Sequence, residues 1–269
     1  MCIDRAAMAE PACPAKPRRG SDEEAVAAEE GGASEQCKVV TFEIGASHHG
    51  GGHLRQMHER LGHLSYLLTN DESMKDEPRV KVVPRSVGFA PPVETISVAC
   101  ETHRASIVHF AMHGVPDPPS TVLGFAVQVG PGIVTLEANA IRNLRGLNGC
   151  FVFSGACRTG TQDIASAFLS AGAIGYMAPR DRLVIGNALG EFKSAILVRL
   201  SGLAGAGGLA DGQRANALLT DVLAAPDTLR LSTRHGQHEM DAFRSFCTWT
   251  KESGQVVCYD QVGTSLHNS

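Results

Sequence analysis

The sequence predicts an α/β fold, a mostly parallel central sheet with helices on both faces. Three observations predict it. Short β-branched or apolar runs alternate with longer segments whose apolar residues recur at helical spacing, as in successive strand–helix–strand units. The runs at 106–112 and 150–153 are apolar almost throughout, as strands covered on both faces must be. Aromatic residues make up only 5% of a chain that is 43% hydrophobic, so the core must be built from Val, Ile, Leu and Ala.

Residues 1–36 combine Pro11, Pro14 and Pro17 with acidic runs and almost no large apolar side chains, which predicts a disordered N-terminal tail. Structure is expected over 37–269. A β-branched strand at 38–44 leads to the loop His48-His49-Gly50-Gly51-Gly52, and Leu54, Met57, Leu61, Leu64 and Leu68 mark a helix over 53–68. A second strand, 80–83, is expected to stop at Pro84, and a helix over 92–104 has Pro92 in its first turn. A strand ending in His113-Gly114 follows. Residues 121–136 alternate around Gly130-Pro131-Gly132, which predicts a hairpin across the sheet edge.

A helix over 136–147 is expected next, then the strand and turn that carry Cys157, with Ile164, Ala167 and Phe168 marking the helix after it. A strand over 173–178 and a long helix over 183–200 come next, then a Gly/Ala-rich break over 201–212 and a helix over 213–224. Residues 228–231 suggest a last strand. Phe243, Phe246 and Trp249 suggest a packed C-terminal helix.

The bulk properties exclude several functions. A net charge of -4 without a basic face argues against nucleic acid, and no apolar run approaches the roughly 18 residues of a membrane span. Charges and prolines interrupt the first twenty residues, so no secretory leader is expected. The eight cysteines (2, 13, 37, 100, 150, 157, 247 and 258) include no Cys-x-x-Cys, which points to reduced thiols of a cytoplasmic protein. No cofactor and no metal are expected. His48, His49, His53, His58 and His63 lack the Cys or carboxylate that would complete a ligand set, so they are assigned to a polar loop and helix face. Gly50-Gly51-Gly52 lacks the lysine and serine of a phosphate-binding loop.

The candidate chemistry is thiol catalysis. Cys157 lies on a strand-to-helix turn, at the sheet edge where α/β proteins gather ligands, and His113 is expected to reach the same edge. Cys157 is then the nucleophile and His113 its base. The backbone N–H groups of Gly114 and Cys157 are the oxyanion donors. His109, an even number of residues before His113, falls on the same strand face and is taken as structural support for the base. Cys100, Cys150, Cys247 and Cys258 are assigned to packing. Asp117, Asp163 and Asp181 are candidates to line a specificity pocket, with a solvated helix end or loop the favoured reading for each.

Several ordered segments resemble one family. Ile107-Val108-His109-Phe110-Ala111-Met112-His113-Gly114 is similar to the HxAxHG strand of CHAT-domain proteins, in the caspase/separase clan of cysteine peptidases. The segment 132–141 resembles that domain's G-x-L-T-x-x-E-I stretch, Phe153-Ser154-Gly155-Ala156-Cys157-Arg158-Thr159-Gly160 its LSACxTG turn, and 165–175 the helix and strand after it. The likeness is best over 100–200. It implies a caspase-like three-layer sandwich over 37–269 and a cysteine endopeptidase acting on protein or peptide substrates, with a regulatory protein partner. Gly155 departs from the usual serine, and no helical repeats accompany the domain. Two alternatives stand beside this one: a catalytically silent scaffold of the same fold, and a thiol hydrolase acting on a non-peptide substrate.

Overall fold

The apolar runs become strands and the amphipathic segments become the helices that cover them. The computed structural model describes residues 37–44, 80–87, 91–115, 124–129, 132–183, 187–225, 229, 231, 235–261 and 264–266. In chain order they form β1 (Cys37–Ile44), β2 (Val80–Val87), α1 (Pro92–His103), β3 (Ile107–Ala111), β4 (His113–Val115), β5 (Gly124–Val129), β6 (Gly132–Glu137) and α2 (Ala138–Ile141). Then come β7 (Phe151–Ser154), α3 (Gln162–Ser170), β8 (Gly175–Pro179), α4 (Asn187–Gly205), α5 (Gly212–Leu223), α6 (Gly236–Arg244), β9 (Phe246–Glu252), β10 (Gln255–Tyr259) and β11 (Thr264–Leu266). All belong to one unit, Ser34–Ser269.

Eight of the described strands form one sheet in the order β11-β10-β9-β8-β7-β3-β1-β2. The run β2-β1-β3-β7-β8 is parallel throughout; β9, β10 and β11 add antiparallel strands beyond β8. Among the parallel strands the order is second, first, third, fourth, fifth. This is a doubly wound arrangement, whose ligand crevice lies outside the carboxyl ends of the strands.

Alternation along each strand splits the core in two. On one face Val40, Phe42, Val108, Phe110, Val152 and Tyr176 pack against Ile96 and Cys100 of α1 and Ile164 and Phe168 of α3. On the other, Val39, Ile107, Phe151, Phe153 and Met177 meet Phe192 and Ile196 of α4, Leu219 of α5 and Phe243 of α6. Helices therefore cover both faces. Burying a side chain of this size contributes about 1.5–3 kcal/mol each.

Several boundaries differ from the sequence expectation, for physical reasons. β2 runs through Pro84 because it is the edge strand, where a missing N–H interrupts no second ladder. Residues 136–147 are not a helix. Leu136 and Glu137 finish β6, only Ala138–Ile141 is helical, and Arg145 ties the following loop to Glu94 and Glu101 of α1. The long helix starts at Asn187 rather than Leu183 and runs through Ser201 to Gly205, so the glycine-rich break is shorter than expected. Leu229 and Leu231 belong to no strand; Leu229 is buried against the α4–α6 core. Phe243 does lie in a helix, but Phe246 and Trp249 sit in β9, next to β8. The β5–β6 hairpin is present as expected. The helix expected over 53–68, the histidines at 48–63 and Asp117 lie outside the described residues.

The strand expected to end in His113 is broken. Pairing of β3 with β1 stops at Glu43↔Ala111 and with β7 at Phe110↔Ser154. Beyond that the backbone has no parallel neighbour among the described residues, and its polar groups must find partners elsewhere. After Met112 the chain crosses into a second sheet, order β4-β5-β6, where His113 pairs with Ala126. His113 is therefore the first residue of an antiparallel strand over the sheet edge, and the alternation that would align it with His109 does not cross the break.

Candidate functional site

The Cys157 turn is held by its own small side chains. β7 leaves the sheet at Ser154, and the Gly155 N–H donates to the Phe110 carbonyl at 3.0 Å. Ser154 Oγ accepts from the Ala156 N–H at 3.1 Å, and Thr159 Oγ1 donates to the Ala156 carbonyl at 2.9 Å. With that proton committed, the 2.9 Å contact between the two hydroxyls has Ser154 as donor. Tyr176 from β8 closes the set, its hydroxyl donating to the Thr159 carbonyl at 3.0 Å. Burial pushes the Tyr176 phenol up, so it stays a donor. Arg158 takes the left-handed conformation (φ 57°) that turns the chain toward α3.

This network fixes where Cys157 points. The residue is half-buried. Its Sγ accepts the Leu183 N–H at 3.2 Å, and the Arg158 N–H donates to the Asp181 carbonyl at 3.1 Å. Among the described residues the Cys157 N–H donates to no acceptor, as an oxyanion donor requires. Nothing in the sequence near Cys157 signals Leu183, because a backbone donor leaves no side-chain trace.

The residue after His113 reaches the same point along a different sheet. That residue, Gly114, lies directly on the Cys157 backbone. A Cβ there would collide with the Cys157 carbonyl oxygen and come within 2.8 Å of its carbon and 3.1 Å of its nitrogen. Only glycine permits that approach. The chain thus places the residue next to His113 against Cys157 itself, at the carboxyl edge of β3 and β7.

His109 is not part of this set. It is 1% exposed, stacked on Phe153 at 5.2 Å, and neither ring nitrogen has a partner. Burial holds its pKa well below the ordinary value, with the Lys193 charge adding to the effect, so the ring is neutral. The expectation that it supports the base by hydrogen bonding is corrected: it makes no such bond.

Gly155 has an explanation the sequence does not give. A side chain there would run into Nζ and Cε of Lys193, and would stand 3.2 Å from its Cδ. Lys193, from α4, occupies the room a side chain at position 155 would take. Asp163 and Asp181 are exposed, the first in the opening turn of α3 and the second on the loop after β8.

Six cysteines are described and all are free thiols. Among the described residues no three His, Cys, Asp or Glu side chains form a metal-sized group, and no helix is long and apolar enough to cross a membrane. No family model matches the chain, and no curated protein matches it.

Proposed function

We propose that the chain is a cysteine endopeptidase of caspase-like architecture. The observation that carries the reading is the contact of the Gly114 and Cys157 backbones, which brings the residues flanking a histidine and a cysteine to one point outside the carboxyl ends of β3 and β7. The doubly wound order of the parallel strands and the motifs between residues 100 and 200 support the caspase-like assignment. Free thiols fit a reducing compartment such as the cytoplasm.

The chemistry follows from the placement. His113 takes the Cys157 proton, the sulfur attacks the scissile carbonyl, and the N–H groups of Gly114 and Cys157 receive the developing oxyanion. His113 then gives its proton to the leaving amine. Water, activated by the same imidazole, hydrolyses the thioester and restores the thiol.

The test is turnover of a diverse peptide library by the wild type and by Cys157→Ala, with an ester library in parallel. Peptide cleavage lost in the variant, with an unchanged circular dichroism spectrum, is the expected result. Cleavage that survives in the variant rejects Cys157 as nucleophile. Ester turnover without peptide cleavage selects the non-peptide hydrolase, and inertness toward both, with Cys157 labelling no faster than the other thiols, selects the silent scaffold.

A further inference from the structure

β9 and β10 carry two cysteines that the chemistry at Cys157 does not use. Cys258 faces Trp249 across the β9–β10 ladder, which puts Cys247 two residues along on the same side of the sheet. Both are fully buried, and the two thiols hydrogen-bond to each other. Strong donors are aimed at the pair. Arg180 Nη2 donates to Cys258 Sγ at 2.9 Å, and Trp249 Nε1 donates to Cys247 Sγ at 3.1 Å. Asp260 holds the guanidinium from its other side at 3.0 Å, and its carbon sits 6.0 Å over the Trp249 ring.

Sulfurs that collect N–H donors are prepared to carry negative charge. Cys247 is held below the ordinary thiol range, first by the hydrogen bond from Cys258, with the Arg180 charge and the Trp249 N–H adding and burial opposing. Cys258 is pushed up, first by giving that hydrogen bond to Cys247 and then by burial. Arg180 donates to Cys258 and the Trp249 N–H to Cys247, so each sulfur of the pair has its own donor. One sulfur is the nucleophile and the other keeps its proton, the division of labour of an attacking and a resolving thiol.

The pair is also wired to the Cys157 turn. The Cys247 thiol donates toward the Gly160 carbonyl at 3.7 Å and that of Ala178 at 3.6 Å. Gly160 closes the turn by donating to Pro179 at 2.8 Å. Arg180 opens the segment whose Asp181 carbonyl holds Arg158 and whose Leu183 N–H holds the Cys157 sulfur.

We propose that Cys247 and Cys258 form an oxidant-responsive dithiol that closes to a disulfide under hydrogen peroxide and, through Arg180, alters the segment holding the Cys157 sulfur. Arg180 is 39% exposed at its side chain, so its swing opens a path for so small an oxidant. The Cys247 thiolate attacks peroxide: an S–O bond forms, the O–O bond breaks, and the released hydroxide takes up the proton Cys247 had given off, becoming water. Cys258 then attacks the sulfenic sulfur; the S–S bond forms, the S–O bond breaks, and hydroxide leaves with the Cys258 proton as a second water. Two thiols are oxidised and one peroxide is reduced. Diagonal cross-strand Cα atoms stand about 7–8 Å apart, near or beyond the upper limit of a relaxed disulfide. Because β9 and β10 are already paired, closure shifts the backbone along the strands at the end of their ladder, displaces Arg180 and leaves a bond that thiols readily reduce.

The full-length protein is treated with hydrogen peroxide, quenched with N-ethylmaleimide and mapped by peptide mass. A linked Cys247–Cys258 peptide that dithiothreitol releases is expected. Cys258→Ser should instead accumulate a dimedone-reactive sulfenic acid at Cys247, and Arg180→Gln, which keeps both thiols, should slow the linkage. The alkylation rate of Cys157, a readout independent of peptidase activity, should change about fivefold on oxidation and return on reduction. Both thiols still alkylatable after Cys157 has been oxidised overturns the dithiol. A disulfide that leaves the Cys157 alkylation rate unchanged overturns its coupling to the turn.

Discussion

The chain uses the same two residue types twice, once inside and once at the sheet edge. Cys150 precedes β7 and Cys157 follows it; His109 lies within β3 and His113 just beyond it. The inner pair is inert by construction. Cys150 is 1% exposed, donates its thiol to the Ala105 carbonyl at 2.7 Å, and burial pushes its pKa up to about 12. His109 is neutral and stacked on Phe153. The edge pair meets opposite conditions: Cys157 is half-buried and its sulfur accepts a hydrogen bond rather than giving one, while His113 is half-buried beside Gly114. Residue type supplies the chemistry, and the strand position decides whether it is used.

The largest effects should separate the two cysteines. Cys157→Ala should lower kcat by about 10^4-fold or more, whereas Cys150→Ala should keep kcat and cost only stability; equal losses in peptide turnover would erase the distinction. Gly114→Ala comes next. Its methyl must push the β4 and Cys157 backbones apart, so kcat should fall by about 10^2–10^3-fold even where thermal unfolding shows the fold intact. A Gly114→Ala enzyme of full activity would mean the two chains do not meet in solution. Thr159→Val tests the scaffold under the edge cysteine. It removes the donor to the Ala156 carbonyl and the acceptor of the Ser154 hydroxyl proton, a loss of about 1–3 kcal/mol in urea unfolding.

The inner pair should declare itself through pH. Cys150 and Cys100 both stand at about 12 against an ordinary 9.0, raised by burial first. The unfolded chain therefore loses these protons before the folded one does. Their stabilisation is complete below pH 9.0 and disappears as pH rises toward 12, at up to about 1.4 kcal/mol per pH unit for each thiol. Cys150→Ala should flatten that alkaline slope in unfolding curves. His109 acts at the other end. Its folded pKa lies below the ordinary 6.5, so its stabilisation is present above 6.5 and lost as pH falls. His109→Phe should remove that acid dependence, raise Tm by about 2–4 °C and leave kcat unchanged, the smallest of these effects. A fall in kcat would return His109 to the catalytic set.

Legibility followed the range of the forces involved. The strand-to-helix turn at Cys157, the β5–β6 hairpin and the five parallel strands announce themselves through local patterns, small residues at a break or apolar runs between turn signals. What escaped depends on partners far along the chain. The break at Met112 comes where the described pairings of β3 with β1 and β7 end and the chain crosses to β5. Phe246 and Trp249 sit three apart, which suits a helix, but the open edge of β8 captures them as strand β9. The Leu183 donor and the Lys193 side chain come from loop and helix positions whose sequence carries no mark of the site they touch.

Because His113 rides on the small β4–β6 sheet and Cys157 follows β7 of the large one, the proposed base and the proposed nucleophile stand on separate platforms. On that proposal, a protein gripping the hairpin would change the spacing of the two residues by moving one platform, with the buried layers left as they are. Control of this kind asks for no new pocket, only a hand on the smaller sheet.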